Sequence, residues 1–122
     1  MGKDLNITVL LDFYGELLTE NQAKVLDLYY NEDLSLAEIA EPLGITRQGV
    51  RDSIKRGEKQ LYDLEDALGL AQRFKDLKSE ISSINEMFTE LKEYVDTYIH
   101  SDKLSKATDQ ISQKLLAVSD KL

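Results

Sequence analysis

The sequence predicts an all-α protein, a helix-turn-helix domain followed by long C-terminal helices, and three observations predict it. Apolar residues recur at three- and four-residue steps along nearly the whole chain. Helix-capping patterns and isolated glycines punctuate those runs. Only six Gly and one Pro occur in 122 residues, with 42% hydrophobic and 31% charged side chains, a balance that favours ordered helices over a disordered chain.

In the first segment, residues 5–18, Leu5, Val9, Leu10, Phe13, Leu17 and Leu18 form the stripe of an amphipathic helix. TENQ, residues 19–22, has the Ser/Thr-x-x-Glu/Gln form of a capping box, so Thr19 is expected to cap a second helix over about 20–31 that buries Val25, Leu26 and Tyr29. SLAE, residues 35–38, repeats the form. Ser35 should cap a short third helix with Leu36, Ile39, Ala40 and Leu43 inward, and Gly44 suits the left-handed stop after it. Thr46 can cap a fourth helix running from Arg47 to about Leu68, with Val50, Ile54, Leu61, Leu64 and Leu68 inward and Gly69 at its end.

From Leu70 the pattern becomes a heptad. Leu70, Phe74, Leu77, Ile81, Ile84, Phe88, Leu91, Val95 and Tyr98 alternate four- and three-residue steps, the seam of a helix ~43 Å long that faces a partner helix. The phase breaks at residues 100–102 and resumes at Leu104, Ile111, Leu115, Val118 and Leu122, so a last helix folds back on the first or meets another subunit. The expected division is residues 1–69 as the helix-turn-helix domain and 70–122 as a helical extension that makes a homodimer through the 70–98 seam.

With no Cys and one His, the chain lacks the parts for a disulfide, a structural zinc site or a Cys- or His-based nucleophile relay. The carboxylates are spread over amphipathic faces, and no Gly-rich phosphate loop follows a strand. No catalytic residue, cofactor or metal site is therefore expected, and the chain reads as a non-enzyme. His100, at the break, suits a capping or solvent-facing role. No apolar run approaches the ~20 residues that span a bilayer, and the opening residues lack a signal peptide's regions, so a cytoplasmic protein without membrane insertion is expected.

The formal net charge of −8 is unevenly distributed. Residues 1–34 carry two basic and seven acidic side chains, whereas residues 46–60 carry five basic against two acidic. Within that basic stretch lies the candidate site. A helix-turn-helix needs a small residue where the two helices touch, a turn glycine and apolar residues around the crossing; Ala40, Gly44, Ile39, Leu43, Ile45 and Val50 supply them. The outward face of the fourth helix would then carry Gln48, Arg51, Asp52 and Lys55 toward base edges, and Thr46, Arg47 and Arg56 toward phosphates. Asp52 could accept from cytosine or orient Arg51. A solvated face of Arg, Lys and Gln is also ordinary on a helix. Tyr29 and Tyr30 invite single-strand stacking, but adjacent helical positions diverge by about 100°, so one of them belongs in the core.

The stretch LTENQAKVLDLYYNEDLSLAEIAEPLGITRQGVRDSIKRGEKQL, residues 18–61, resembles region 4 of bacterial sigma factors. DFYGELLT followed by LSLAEIA, ITRQ and IKRGEKQL resembles more closely the YlxM family of bacterial helix-turn-helix proteins, over about residues 5–70. Arg47, Gln48, Val50, Asp52, Ile54, Lys55 and Arg56 fit the family pattern, while Pro42, Gly49 and Arg51 depart from it. The resemblance implies a sigma region-4-like fold in a cytoplasmic bacterial protein whose gene commonly neighbours those of the signal recognition particle, and by that gene position a role in its pathway. Three readings follow. One is a regulatory protein that binds duplex DNA as a homodimer, with half-sites ~34 Å apart or a multiple of it. The second is an accessory protein that contacts signal recognition particle RNA or protein through the acidic helices or the same basic face. The third is a dimerisation scaffold whose helix-turn-helix is inert.

Overall fold

A computed structural model describes residues 6–122 of the chain. Six α-helices follow in order: α1 (Asn6–Tyr14), α2 (Glu20–Tyr30), α3 (Leu36–Leu43), α4 (Arg47–Leu68), α5 (Leu70–Tyr98) and α6 (Asp102–Asp120), with a 3₁₀ turn at Gly15–Leu17. No strand forms among the described residues. The all-α, helix-turn-helix architecture expected from the sequence is present. The chain divides into two compact units, Met1–Ala71 and Gln72–Leu122.

In the first unit, α1, α2 and α3 pack around α4, whose Val50, Ile54 and Leu61 are fully buried against Ile7, Val25, Leu26 and Ile39. The α1 stripe differs from the one expected. Ile7, Leu10, Leu11 and Tyr14 face the core, while Val9 is 46% and Leu17 64% exposed. Leu5 lies outside the described residues, and Phe13 is half-buried. Two causes act together. Apolar residues nearly surround this segment, so several stripes satisfy helical spacing, and the 3₁₀ turn after Tyr14 breaks the phase that would have carried Leu17 inward. Leu68, expected inward on the last turn of α4, is likewise exposed, and Leu64 is half-buried.

The caps are of two kinds. Ser35 Oγ accepts from the Glu38 backbone N–H at 3.1 Å and Glu38 Oε1 accepts from the Ser35 backbone N–H at 3.2 Å, a complete capping box. At Thr19 only half of the expected box forms. Thr19 Oγ1 accepts from the Gln22 backbone N–H, but Gln22 Oε1 is buried without a hydrogen-bond partner instead of reaching back. Gly44 (φ 66°) and Gly69 (φ 64°) end α3 and α4 in the left-handed conformation that glycine adopts without a Cβ clash. Pro42 falls in the last turn of α3 on the exposed side, so the missing donor costs little before the helix ends at Leu43.

One buried tyrosine fixes the α4–α5 junction. Tyr14 Oη donates to Glu65 Oε1 at 2.6 Å and accepts from the Leu70 backbone N–H at 3.1 Å. Glu65 Oε1 also accepts from the Ala71 N–H, so the first two donors of α5, which have no helical partner, are satisfied from α1 and α4. Burial, and then the bond to Glu65, hold the Tyr14 phenol above its usual pKa.

The second unit is an antiparallel hairpin of α5 and α6. Its register is set by Lys92 Nζ to Asp109 at 2.7 Å, Asn85 Nδ2 to Ser119 Oγ at 3.1 Å and Ser105 Oγ to Asp96 at 3.3 Å. The last helix does fold back, yet it covers only part of the heptad seam. Ile81, Phe88 and Val95 turn inward, with Val95 almost fully buried, while Leu70, Leu77, Ile84, Leu91 and Tyr98 remain exposed and Phe74, half-buried, lies beyond the level α6 reaches. The inward side of α6 is mostly small hydroxyl residues: Ser105, Thr108, Ser112 and Ser119, joined by Leu115 and Leu122. Leu104, Ile111 and Val118, expected to carry the fold-back, instead face solvent. His100 is exposed in the connection, and Ser101 rather than His100 caps α6.

Candidate nucleic-acid interface

The candidate surface is built on the crossing of α3 and α4. Ala40, only 5% exposed, is small enough to let the helices approach, and the backbone of residues 40–46 turns in one tight step. Gly44 and Ile45 N–H both donate to the Ala40 carbonyl, at the end of α3. Val50 and Ile39 close the crossing from either side, both fully buried. Ile45, expected to hold the crossing, is 43% exposed and contributes through its contact with the first turn of α4 rather than by burial.

Thr46 caps α4 by accepting from the Gly49 N–H at 2.9 Å. Its hydroxyl proton remains available to an incoming phosphate oxygen. Gly49, blank as a base-reading position, has a packing role: a Cβ there would stand 3.2 Å from Thr46 Oγ1 and 3.9 Å from Ile45 Cβ. The absent side chain lets the cap sit close over the helix start. Sequence spacing alone offered no sign of that contact.

All seven expected site residues are exposed, Thr46 at the N-cap and Arg47, Gln48, Arg51, Asp52, Lys55 and Arg56 on the first three turns of α4. Gln48, Arg51, Asp52 and Lys55 share one side at three- and four-residue steps. Asp52 does not orient Arg51. Its Oδ1 accepts from Gln48 Nε2 at 3.0 Å, a one-turn bond that steadies the Gln48 amide and leaves Arg51 to extend independently. Farther along, Lys59 pairs with Asp63 at 2.9 Å, and Tyr30 Oη donates to Glu58. The cationic part of α4 is thus its N-terminal half, where the helix macrodipole adds positive potential.

Two residues escaped the sequence reading. Gly57 is buried where α2 crosses α4; a Cβ there would lie 2.7 Å from Leu26 Cδ1. Its signal was present, because residues 54, 57 and 61 continue the inward three-and-four spacing. Glu65 was indistinguishable from the surrounding acidic residues until Tyr14 was placed beside it. Tyr29 and Tyr30 make a T-shaped ring pair, with Tyr29 buried and Tyr30 held to Glu58, so neither offers an open stacking face. Among the described residues no group of three His, Cys, Asp or Glu side chains is placed to hold a metal ion, and no helix is long and apolar enough to cross a membrane.

The chain is similar over residues 1–101 to the UPF0122 family, described as helix-turn-helix proteins of the YlxM/p13 kind. A UPF0122 protein of Clostridium kluyveri is 41% identical across 95% of this chain and 97% of its own length. One from Acetivibrio thermocellus is 50% identical over 70% of this chain and 83% of its own. Another, from Thermoanaerobacter sp., is 44% identical over 67% and 70%.

Proposed function

The chain belongs to the UPF0122 family of YlxM/p13-like helix-turn-helix proteins, and from that premise we propose that it is a non-enzymatic regulator that binds duplex DNA through the N-terminal half of α4. The observation that carries this reading is the pairing of a well-formed α3–α4 crossing with an outward face of Arg47, Gln48, Arg51, Lys55 and Arg56. Arg51 reaches base edges, where a bidentate contact to guanine contributes ~1–3 kcal/mol of discrimination. Gln48, steadied by Asp52, addresses a neighbouring base. Arg47, Arg56, Thr46 and the α4 N-terminus hold phosphates.

The face is small and its grip correspondingly limited. Asp52 places a negative charge among the reading residues, and the body around the site is acidic. Two copies joined through the helical extension supply the missing affinity by acting together on two half-sites. The same acidic body restrains non-specific binding.

One observation favours the second reading, an accessory protein of the signal recognition particle that holds its RNA or protein. An open groove between α1 and α2 carries four carboxylates, Asp12, Glu16, Glu20 and Asp27, against one cation, Lys24, a net acidic surface better suited to a basic protein segment than to DNA. Crosslinking in cells, with both nucleic acid and protein recovered, separates the two. Recovery of a limited set of duplex sites, lost on Arg51→Ala, supports the DNA reading. Recovery of particle RNA or protein without duplex sites removes it.

A further inference from the structure

The hairpin of α5 and α6 is assembled the wrong way round for a structure that ends with itself. Its inner seam joins Ile81, Phe88 and Val95 to a helix side of Ser105, Thr108, Ser112 and Ser119 with Leu115 and Leu122, bridged by polar bonds between the helices. A second apolar series on each helix points out. Ile84, Leu91 and Tyr98 of α5 and Leu104, Ile111 and Val118 of α6 are 41–70% exposed.

These six side chains form one face. On α5 the exposed series lies three residues after the inward one, and on α6 one residue before it. Steps of +3 and −1 turn the same way about a helix, and in two antiparallel helices that face each other, equal turns point to the same side. The register makes the rows coincide: bonds between residues 92 and 109 and between 85 and 119 put Ile84 level with Val118, Leu91 with Ile111 and Tyr98 with Leu104. Two apolar rows, paired at three levels, thus run along one side of the hairpin, the pattern of half a four-helix bundle.

The charges along its two borders choose the occupant. Outside the α5 row, from residue 76 onward, the charged residues are Asp76, Glu80 and Glu90; outside the α6 row they are Lys103, Lys114 and Lys121. One border is acidic and the other basic.

We infer that this face is covered by a second copy of the chain, related by a two-fold axis parallel to the helices, so that α5 of each protomer lies against α6 of the other. This rests on the homodimer of the proposed function and specifies its geometry. A two-fold along the helices keeps residues at their own level and exchanges α5 for α6, so each acidic border meets the partner's basic one. Glu90 stands level with residues 111–114 and therefore with the partner's Lys114, and Glu80 with the partner's Lys121. A two-fold across the helices would set acidic border on acidic border and basic on basic, which electrostatic complementarity disfavours.

The test measures dimer dissociation of the full chain by analytical ultracentrifugation at ~0.1 M salt, where charges within ~10 Å still interact. Wild type should be a dimer, Glu90→Lys and Lys114→Glu should each weaken it roughly tenfold, and the double variant should recover most of the loss. Ile111→Ser should weaken it further than either. A dimer that either single reversal leaves unchanged or tightens, or that the double variant fails to restore, overturns the arrangement while leaving dimerisation standing. A wild-type monomer overturns both.

Discussion

The two units solve the same problem, an amphipathic helix with an apolar face to cover, in opposite ways. In the first, every large fully buried side chain converges on α4, and polar groups close the ends: Ser35 and Thr46 at helix starts, Tyr14 and Glu65 at the α4–α5 junction. In the second, the inward side of α5 is apolar (Ile81, Phe88, Val95) but that of α6 is mostly hydroxyl residues with Leu115 and Leu122, while a further apolar row on each helix faces outward. The difference teaches that heptad spacing reports apolar rows without saying which row the same chain covers. Helical stability in water comes chiefly from burying such a face, and in the hairpin each helix buries one apolar or hydroxyl side and leaves a second apolar row uncovered.

That contrast can be broken by substitutions of matched kind. The largest effect is expected at Ile54, where truncation to Ala removes a fully buried side chain at the centre of the first unit and should cost ~2–5 kcal/mol in chemical denaturation. The corresponding Ile111→Ala in the second unit removes a side chain that is 47% exposed, so its loss should appear in self-association rather than in the unfolding of the first unit. An equal loss of first-unit stability in both variants would erase the distinction.

Next in size is Gly57→Ala. The added methyl meets Leu26 Cδ1 at 2.7 Å across the α2–α4 crossing, and overpacking of this kind costs ~1–3 kcal/mol despite the better helix propensity of Ala. Gly49→Ala sharpens the point, because its nearest neighbour is the Thr46 hydroxyl at 3.2 Å, and the helix gain of up to ~1 kcal/mol offsets the crowding. Thermal melts followed by circular dichroism should show a clear drop for the first and a shift of a few degrees at most for the second. Ser35→Ala, which opens the complete capping box of α3, should fall between them at ~1 kcal/mol.

The smallest expected effect is a pH dependence of the first unit. Because Tyr14 titrates above its usual value in the fold, the neutral phenol's contribution is fully present below pH ~10 and is lost as pH rises through the raised folded value. Denaturation midpoints followed from pH 9 to 11 should therefore decline, and Tyr14→Phe should flatten the decline at the cost of the Glu65 and Leu70 bonds. An unchanged decline in Tyr14→Phe would place its origin elsewhere.

Much of this architecture was legible in the sequence because capping is local. Ser35, Gly44, Thr46 and Gly69 act through their own neighbours, and each stands where expected. The inward set of α2 and the α3–α4 crossing were legible for a related reason: their apolar residues occupy only one side of each helix. Where apolar residues crowd all sides, as in α1, spacing could not choose between Val9 and Ile7; the choice fell to packing and to the 3₁₀ turn. The seven candidate site residues were readable as an exposed face, but the Gln48–Asp52 bond was not, since Asp52 is one helical turn from Gln48 and adjacent to Arg51 and sequence spacing permits either partner. Ser105, Thr108 and Ser112 were passed over because hydroxyl residues carry no hydrophobic signal, although they form the inner side of α6.

The central functional claim concerns the N-terminal half of α4, and the salt dependence of duplex binding tests it most directly. A protein that holds phosphates with Arg47 and Arg56 releases counterions, so its affinity for a labelled duplex, read by fluorescence anisotropy, should fall linearly on logarithmic axes as salt rises. Replacing either arginine by Ala should reduce that slope by about one, while Arg51→Ala should lower affinity for preferred duplexes more than for random ones. Absence of duplex binding at low salt, or a slope that none of the three substitutions changes, would contradict the account.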